Sequence, residues 1–144
     1  MFNKTSWAKP GDIKRKWYII DAKDMPLGRL ATVISVYLTG KYKSNYVPNL
    51  DMGDYVIVTN VDKIKLSGKK GLYKEYTRFS GYPSGLKRVN VGELLKQSPK
   101  KVLLHAVRGM LPKNALRSNQ LYRLRMFIGD KHEHEAQNPE EIKL

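Results

Sequence analysis

Two short apolar runs flanking a helix-period stripe predict an α/β fold with a parallel strand pair. Residues 17–22 (WYIIDA) and 55–60 (YVIVTN) are continuous, rich in β-branched residues and bounded by charge or turn residues, as buried strands are. Between them Leu27, Leu30, Ala31, Ile34, Tyr37 and Leu38 recur at helical spacing. Strand, helix and strand within about 45 residues make a βαβ unit, whose strands run parallel. With 144 residues and 41% apolar side chains, the chain has the size of one domain and the material for its core.

The elements follow in order. Residues 1–16 mix Lys, Pro, Gly and Ser without periodicity, which predicts an N-terminal arm ahead of one domain over 17–144. Asp24-Met25-Pro26 signals a helix start, with Asp24 available as a cap, and Gly40 closes that helix. Val33 and Val36 fall off the apolar stripe, so the helix is covered on more than one side. Residues 62–66 suit a short strand. Residues 67–88 (SGKKGLYKEYTRFSGYPSGLKR) are glycine-rich, basic and aromatic, which suits an exposed hairpin or loop. Helical patterns over 91–97 and 100–110 are interrupted at Ser98-Pro99, and Leu111-Pro112 ends the second. A further helix is expected over 114–123 and a closing strand over 124–128. Neither an internal repeat nor an interdomain linker is apparent.

Charge names the partner class. The formal net charge is +14. Residues 63–129 hold sixteen Lys and Arg against only Glu75 and Glu93, and a small acidic tail follows. Like charge gathered this way opposes folding unless a polyanion neutralises it, and nucleic acid is the commonest such partner. The absence of cysteine excludes a disulfide framework, thiolate zinc sites and a cysteine nucleophile. Apolar runs are too short to span a membrane. The N-terminal residues carry charge without an apolar stretch, so neither a secretory signal nor an Arg- and Ser-rich transit peptide is expected.

Catalytic and cofactor patterns are weak. His105, within Leu-Leu-His-Ala-Val, reads as a packed core side chain. His132-Glu133-His134-Glu135 cannot enclose a tetrahedral metal without a further ligand, so contact with phosphate is expected there and no metal. No nucleophile elbow, acid/base pair, phosphate loop or dinucleotide fingerprint is present, so neither an enzyme, a cofactor nor a small-molecule substrate is expected. The positive signal is the interleaving of Lys69, Lys70, Lys74, Arg78, Lys87 and Arg88 with Tyr73, Tyr76, Phe79 and Tyr82. Such cations neutralise phosphates while aromatic faces stack on unpaired bases. Lys41 and Lys43 form a second basic patch. Arg117, Arg123 and Arg125 form a third, in which Arg123 and Arg125 would share one face of a strand.

At this point WYIIDA, PLGRLAT, GKYKSNYVP, DMGDYVIVTN, KLSGKK, AVRGMLPKN and HEHEAQNP, in this order, resemble the bacterial type of large-subunit ribosomal protein thirteen. The similarity runs over about residues 17–139. The resemblance implies a single three-layer α/β/α domain with a four-stranded, mainly parallel sheet, basic loops and a tail. It implies direct binding to large-subunit ribosomal RNA, early entry into subunit assembly, no catalytic activity, and ribosomal proteins three and twenty as neighbours. It implies location in the large ribosomal subunit, in a bacterial cytoplasm or an organelle of bacterial descent. Carried onto this chain, the RNA-facing elements are the turn with Lys41 and Lys43, the hairpin 69–88, the stretch from Arg108 to Lys113, and the tail with His132 and His134. Arg117 stands where relatives often carry a small residue, and Arg78 and Phe79 where they often carry histidines. The alternative function is a free regulatory RNA binder acting as a translational repressor.

Overall fold

The computed structural model describes residues 8–142. Residues 1–7 of the expected arm and residues 143–144 lie outside the described residues. The βαβ unit is present. Strands β1 (Trp17–Asp21) and β2 (Tyr55–Thr59) pair in parallel with Ile19 opposite Ile57, and helix α1 (Leu27–Thr39) connects them. The sheet has four strands, all parallel, in the order β5-β2-β1-β6, with β5 at Leu124–Met126 and β6 at Glu140–Glu141. This is the α/β domain with a four-stranded parallel sheet that was expected.

Alternation divides the sheet's faces. Ile20, Val56 and Val58 point into the main core, with Leu30, Ala31 and Ile34 of α1 and Val102, Leu103 and Val107 of α4 (Pro99–Met110). The fully buried positions of α1 recur at three- and four-residue steps, so one stripe drives the packing. Burying each large side chain contributes roughly 1.5–3 kcal/mol. Trp17, Ile19, Tyr55 and Ile57 share the opposite face by register. Trp17 stacks on Tyr55 with ring centroids 4.2 Å apart, and His134 lies 5.1 Å from Trp17 and 5.7 Å from Phe127. The C-terminal segment thus lies over this second face, and its described helical turn is the short 3-10 piece Glu135–Gln137.

Local chemistry explains the ends of the elements. Gly40 closes α1 in the left-handed region at φ 76°, with its N–H donating to the carbonyls of Val36 and Tyr37. Gly53 is required by space: a Cβ there would sit 1.7 Å from the Leu38 carbonyl oxygen, so the turn before β2 presses on the last turn of α1. Asp24 does not cap α1, contrary to expectation. It holds φ 60° and pairs with Lys65 at 2.8 Å, while Pro26 precedes the helix. The reason is the 62–66 segment, which forms one 3-10 turn and a single parallel bridge instead of a strand. Its Lys65 carbonyl accepts from Leu27 N–H at 3.0 Å, and its Lys65 N–H donates to Met25 O at 2.9 Å.

The glycine-rich segment folds as a four-residue helix α2 (Lys70–Tyr73) and an antiparallel hairpin of β3 (Glu75–Phe79) and β4 (Leu86–Asn90). Helix α3 (Val91–Gln97) follows, capped by the Asn90 side chain, which accepts from Gly92 N–H at 2.7 Å. Pro99 opens α4, and α5 (Leu116–Tyr122) leads into β5.

Candidate nucleic-acid interface

Two of the expected RNA-facing cations turn inward. Arg123 is 5% exposed and grips Asp51 with both terminal nitrogens, one of which also donates to the Leu38 carbonyl at 3.4 Å. Lys43 donates to Asp54 Oδ1 at 2.8 Å, Met52 O at 2.9 Å and Lys14 O at 3.0 Å. Asp54 is fully buried and also accepts from the backbone N–H of Lys16 at 2.9 Å and from the Tyr42 hydroxyl. These two cations therefore answer the fully buried Asp54 carboxylate and the half-buried Asp51 carboxylate. They fasten the end of α1, the turn before β2 and residues 14–16, the last three of the expected arm, into one unit. Nothing in the local sequence distinguishes them from their neighbours; the signal lies in the two aspartates of Asp51-Met52-Gly53-Asp54.

The Tyr42 ring is 42% exposed, yet its hydroxyl lies within hydrogen-bond reach of both Asp54 and the Tyr18 hydroxyl. Loss of solvation first, and then the bond to Asp54, push its pKa well above the ordinary tyrosine value.

The remaining expected cations divide by exposure. Lys41, Lys69, Lys70, Lys74, Arg78, Lys87, Arg88, Arg108 and Lys113 are all exposed, and none forms an ion pair with another described residue. Arg117 is half-buried on α5. Arg125 is half-buried too, with its guanidinium carbon 4.9 Å from the centroid of the exposed Tyr122 ring. His132 and His134 are half-buried, and both lie against Phe127. Their rings pack on the sheet as well as reaching the surface. No three His, Asp or Glu side chains among the described residues are arranged to hold a metal ion.

The hairpin concentrates charge where its own structure would avoid it. Arg78 stands directly opposite Lys87 across the antiparallel pair, a juxtaposition of like charges that destabilises a sheet. At the tip Phe79 is 66% exposed and Tyr82 75% exposed beside exposed Leu86, and Leu72 and Tyr73 are exposed on α2 at the base. Cations and bare rings on one projecting element suit a partner that is both anionic and aromatic.

His105 is a correction. It is exposed on α4, not packed in the core, and its ring lies 4.2 Å from that of Tyr76 at the base of the hairpin. The helix turns Leu103 and Val107 inward, and His105 falls on the side that meets the hairpin. Burial pushes the Tyr76 hydroxyl above the ordinary tyrosine value. Exposed Arg29, Lys96, Lys100 and Lys101 add to the basic surface. They were not singled out, because single cations on helix surfaces look the same whether they meet solvent or a partner.

With this geometry in place, the comparison with known proteins is decisive. A family model described as Ribosomal protein L13 matches residues 15–133. The chain belongs to the ribosomal protein L13 family. Its similarity to individual family members extends over nearly the whole length. It is 50% identical to the large ribosomal subunit protein uL13 of Clostridioides difficile over 141 residues, covering 98% of this chain and 99% of that protein. It is 47% identical to the protein of the same name from Latilactobacillus sakei, covering 97% and 95%. For the Streptomyces griseus protein of that name the identity is 48%, over 94% and 92%. The L13 family match takes in every expected RNA-facing residue from Lys41 to His132 and ends one residue before His134.

Proposed function

We propose that this chain is a structural constituent of the large ribosomal subunit that binds large-subunit ribosomal RNA directly and enters assembly early. One observation carries the RNA contact: nine of the expected cations, from Lys41 to Lys113, are exposed and stand without a described acidic partner, while Asp51 and Asp54 are engaged inside the domain. A rigid sheet-and-helix body presents these cations in separate patches, which suits clamping several RNA segments by backbone and shape. Early entry is part of the same reading, which a domain with its own core supports by offering a preformed platform to RNA. The exposed apolar set around Phe79 and Tyr82 fits close company in an assembled particle, with ribosomal proteins three and twenty as neighbours in a bacterial cytoplasm. The role is binding, with no catalytic step.

A sucrose gradient of native lysate in high salt tests this directly. One copy per large subunit, retained through the salt wash, is the expected result. Recovery at the top of the gradient would sink the proposal and favour a free regulatory RNA binder.

A further inference from the structure

A cleft of about 370 Å3 separates the base of the hairpin from helices α1 and α4. Leu27 and Gly28 of α1, Ala106 and Gly109 of α4, and the tilted ring pair Tyr76 and His105, with centroids 4.2 Å apart, line it. Its size falls in the ordinary range for a small-ligand pocket. Lys70 and Lys74 also line it, with Lys74 Nζ 5.7 Å from the Tyr76 ring centroid, and no acidic side chain does. The Tyr76 hydroxyl and the His105 ring nitrogens make no side-chain hydrogen bond with another described residue.

Two glycines in this lining have no explanation inside the chain. Glycine weakens a helix relative to alanine, and close packing of a neighbour is its usual compensation. A Cβ at Gly28 or Gly109 would meet no atom within 4 Å, and neither residue has a positive φ. Both leave open space at the same cleft.

We infer that this cleft receives one unstacked base of the bound RNA, with Lys70 and Lys74 on its flanking phosphates, an assignment that rests on the RNA-binding role proposed above. A base brings a flat apolar face to the Tyr76–His105 pair and a polar edge to their free hydroxyl and nitrogens. Its phosphates supply the negative charge that the lining lacks. A side chain from a partner protein would fill the apolar volume but leave both lysines uncompensated.

The test uses the full chain and protein-free large-subunit RNA, with Gly109→Leu as the variant. Leucine is the better helix former and meets open space, so the melting temperature should hold or rise. Filter binding should show affinity falling about tenfold, the loss of one stacked base. The salt slope should stay within about one unit of wild type, since phosphate contacts remain. Ultraviolet crosslinking of the wild-type complex should place a nucleotide adduct on Tyr76 or His105. Wild-type affinity in Gly109→Leu, or adducts confined to Tyr73, Phe79 and Tyr82, would overturn the cleft assignment and leave RNA binding intact. Normal RNA affinity in the variant with loss from assembled subunits would overturn it in favour of a protein occupant. Salt-independent binding by the wild type would instead strike at the RNA-binding role itself.

Discussion

Asp51 and Asp54, three positions apart, decide which cations a partner can reach, because each holds one basic side chain inside the domain. Arg123→Ala would leave the Asp51 carboxylate, 15% exposed, without its principal partner. Breaking a buried pair on one side costs about 3–5 kcal/mol. Urea denaturation should show a loss of that order, while the salt slope of RNA binding stays unchanged at a temperature where the variant is folded. Arg78→Ala should behave oppositely, with stability within about 0.5 kcal/mol of wild type and a salt slope shallower by about one unit. Tyr42 yields a pH prediction. Its folded pKa is raised, so its contribution to stability is full below the ordinary tyrosine value of 10.0 and is lost as pH climbs above it. Between about pH 9 and 11 the wild type should therefore lose more stability than Tyr42→Phe. Parallel pH curves for the two proteins would show that the hydroxyl is not so held.

At the scale of elements, the hairpin and the turn before β2 are built for different ends. The turn is locked: Gly53→Ala forces a Cβ against the Leu38 backbone carbonyl, which cannot swing aside as a side chain could, and should destabilise by about 1–3 kcal/mol or prevent folding. The hairpin carries the repulsion between Arg78 and Lys87. Lys87→Glu converts it to an attractive cross-strand pair and should stabilise the free protein by roughly 0.2–1 kcal/mol. The same change should weaken RNA binding, so thermal melting and filter binding should move in opposite senses. Helix α1 was legible from its helical period and closing Gly40, and strands β1 and β2 from continuous β-branched runs with clear bounds. Strands β3 and β4 were legible only as a basic hairpin or loop, since both lie largely exposed and their sequences lack an alternating apolar face. Strand β6 was missed. Two glutamates have no strand signature, and they pair because β1 offers a free edge, with Lys16 meeting Glu140 at 2.8 Å and Ile142 N–H reaching Ile19 O at 2.9 Å.

For the molecule as a whole, a net charge of +14 opposes compaction, and the proposed RNA binding through exposed cations should be steeply dependent on salt. Neutralising about eight phosphates gives a log–log slope of about −6 to −7. That value should survive removal of Lys43 or Arg123 and fall with each exposed hairpin cation removed. A slope near zero would contradict a polyanion partner.

The class of the domain, its central βαβ unit and its strongly basic charge were determined by the sequence alone. Each rests on signals read within one short stretch, or on charge summed over many. Only the tertiary structure decided which cations face outward, where His105 points and what lies over the second face of the sheet. Arg123 and Arg125 look alike two residues apart. What separates them is Asp51, 72 residues away along the chain, and no local pattern records a contact of that span.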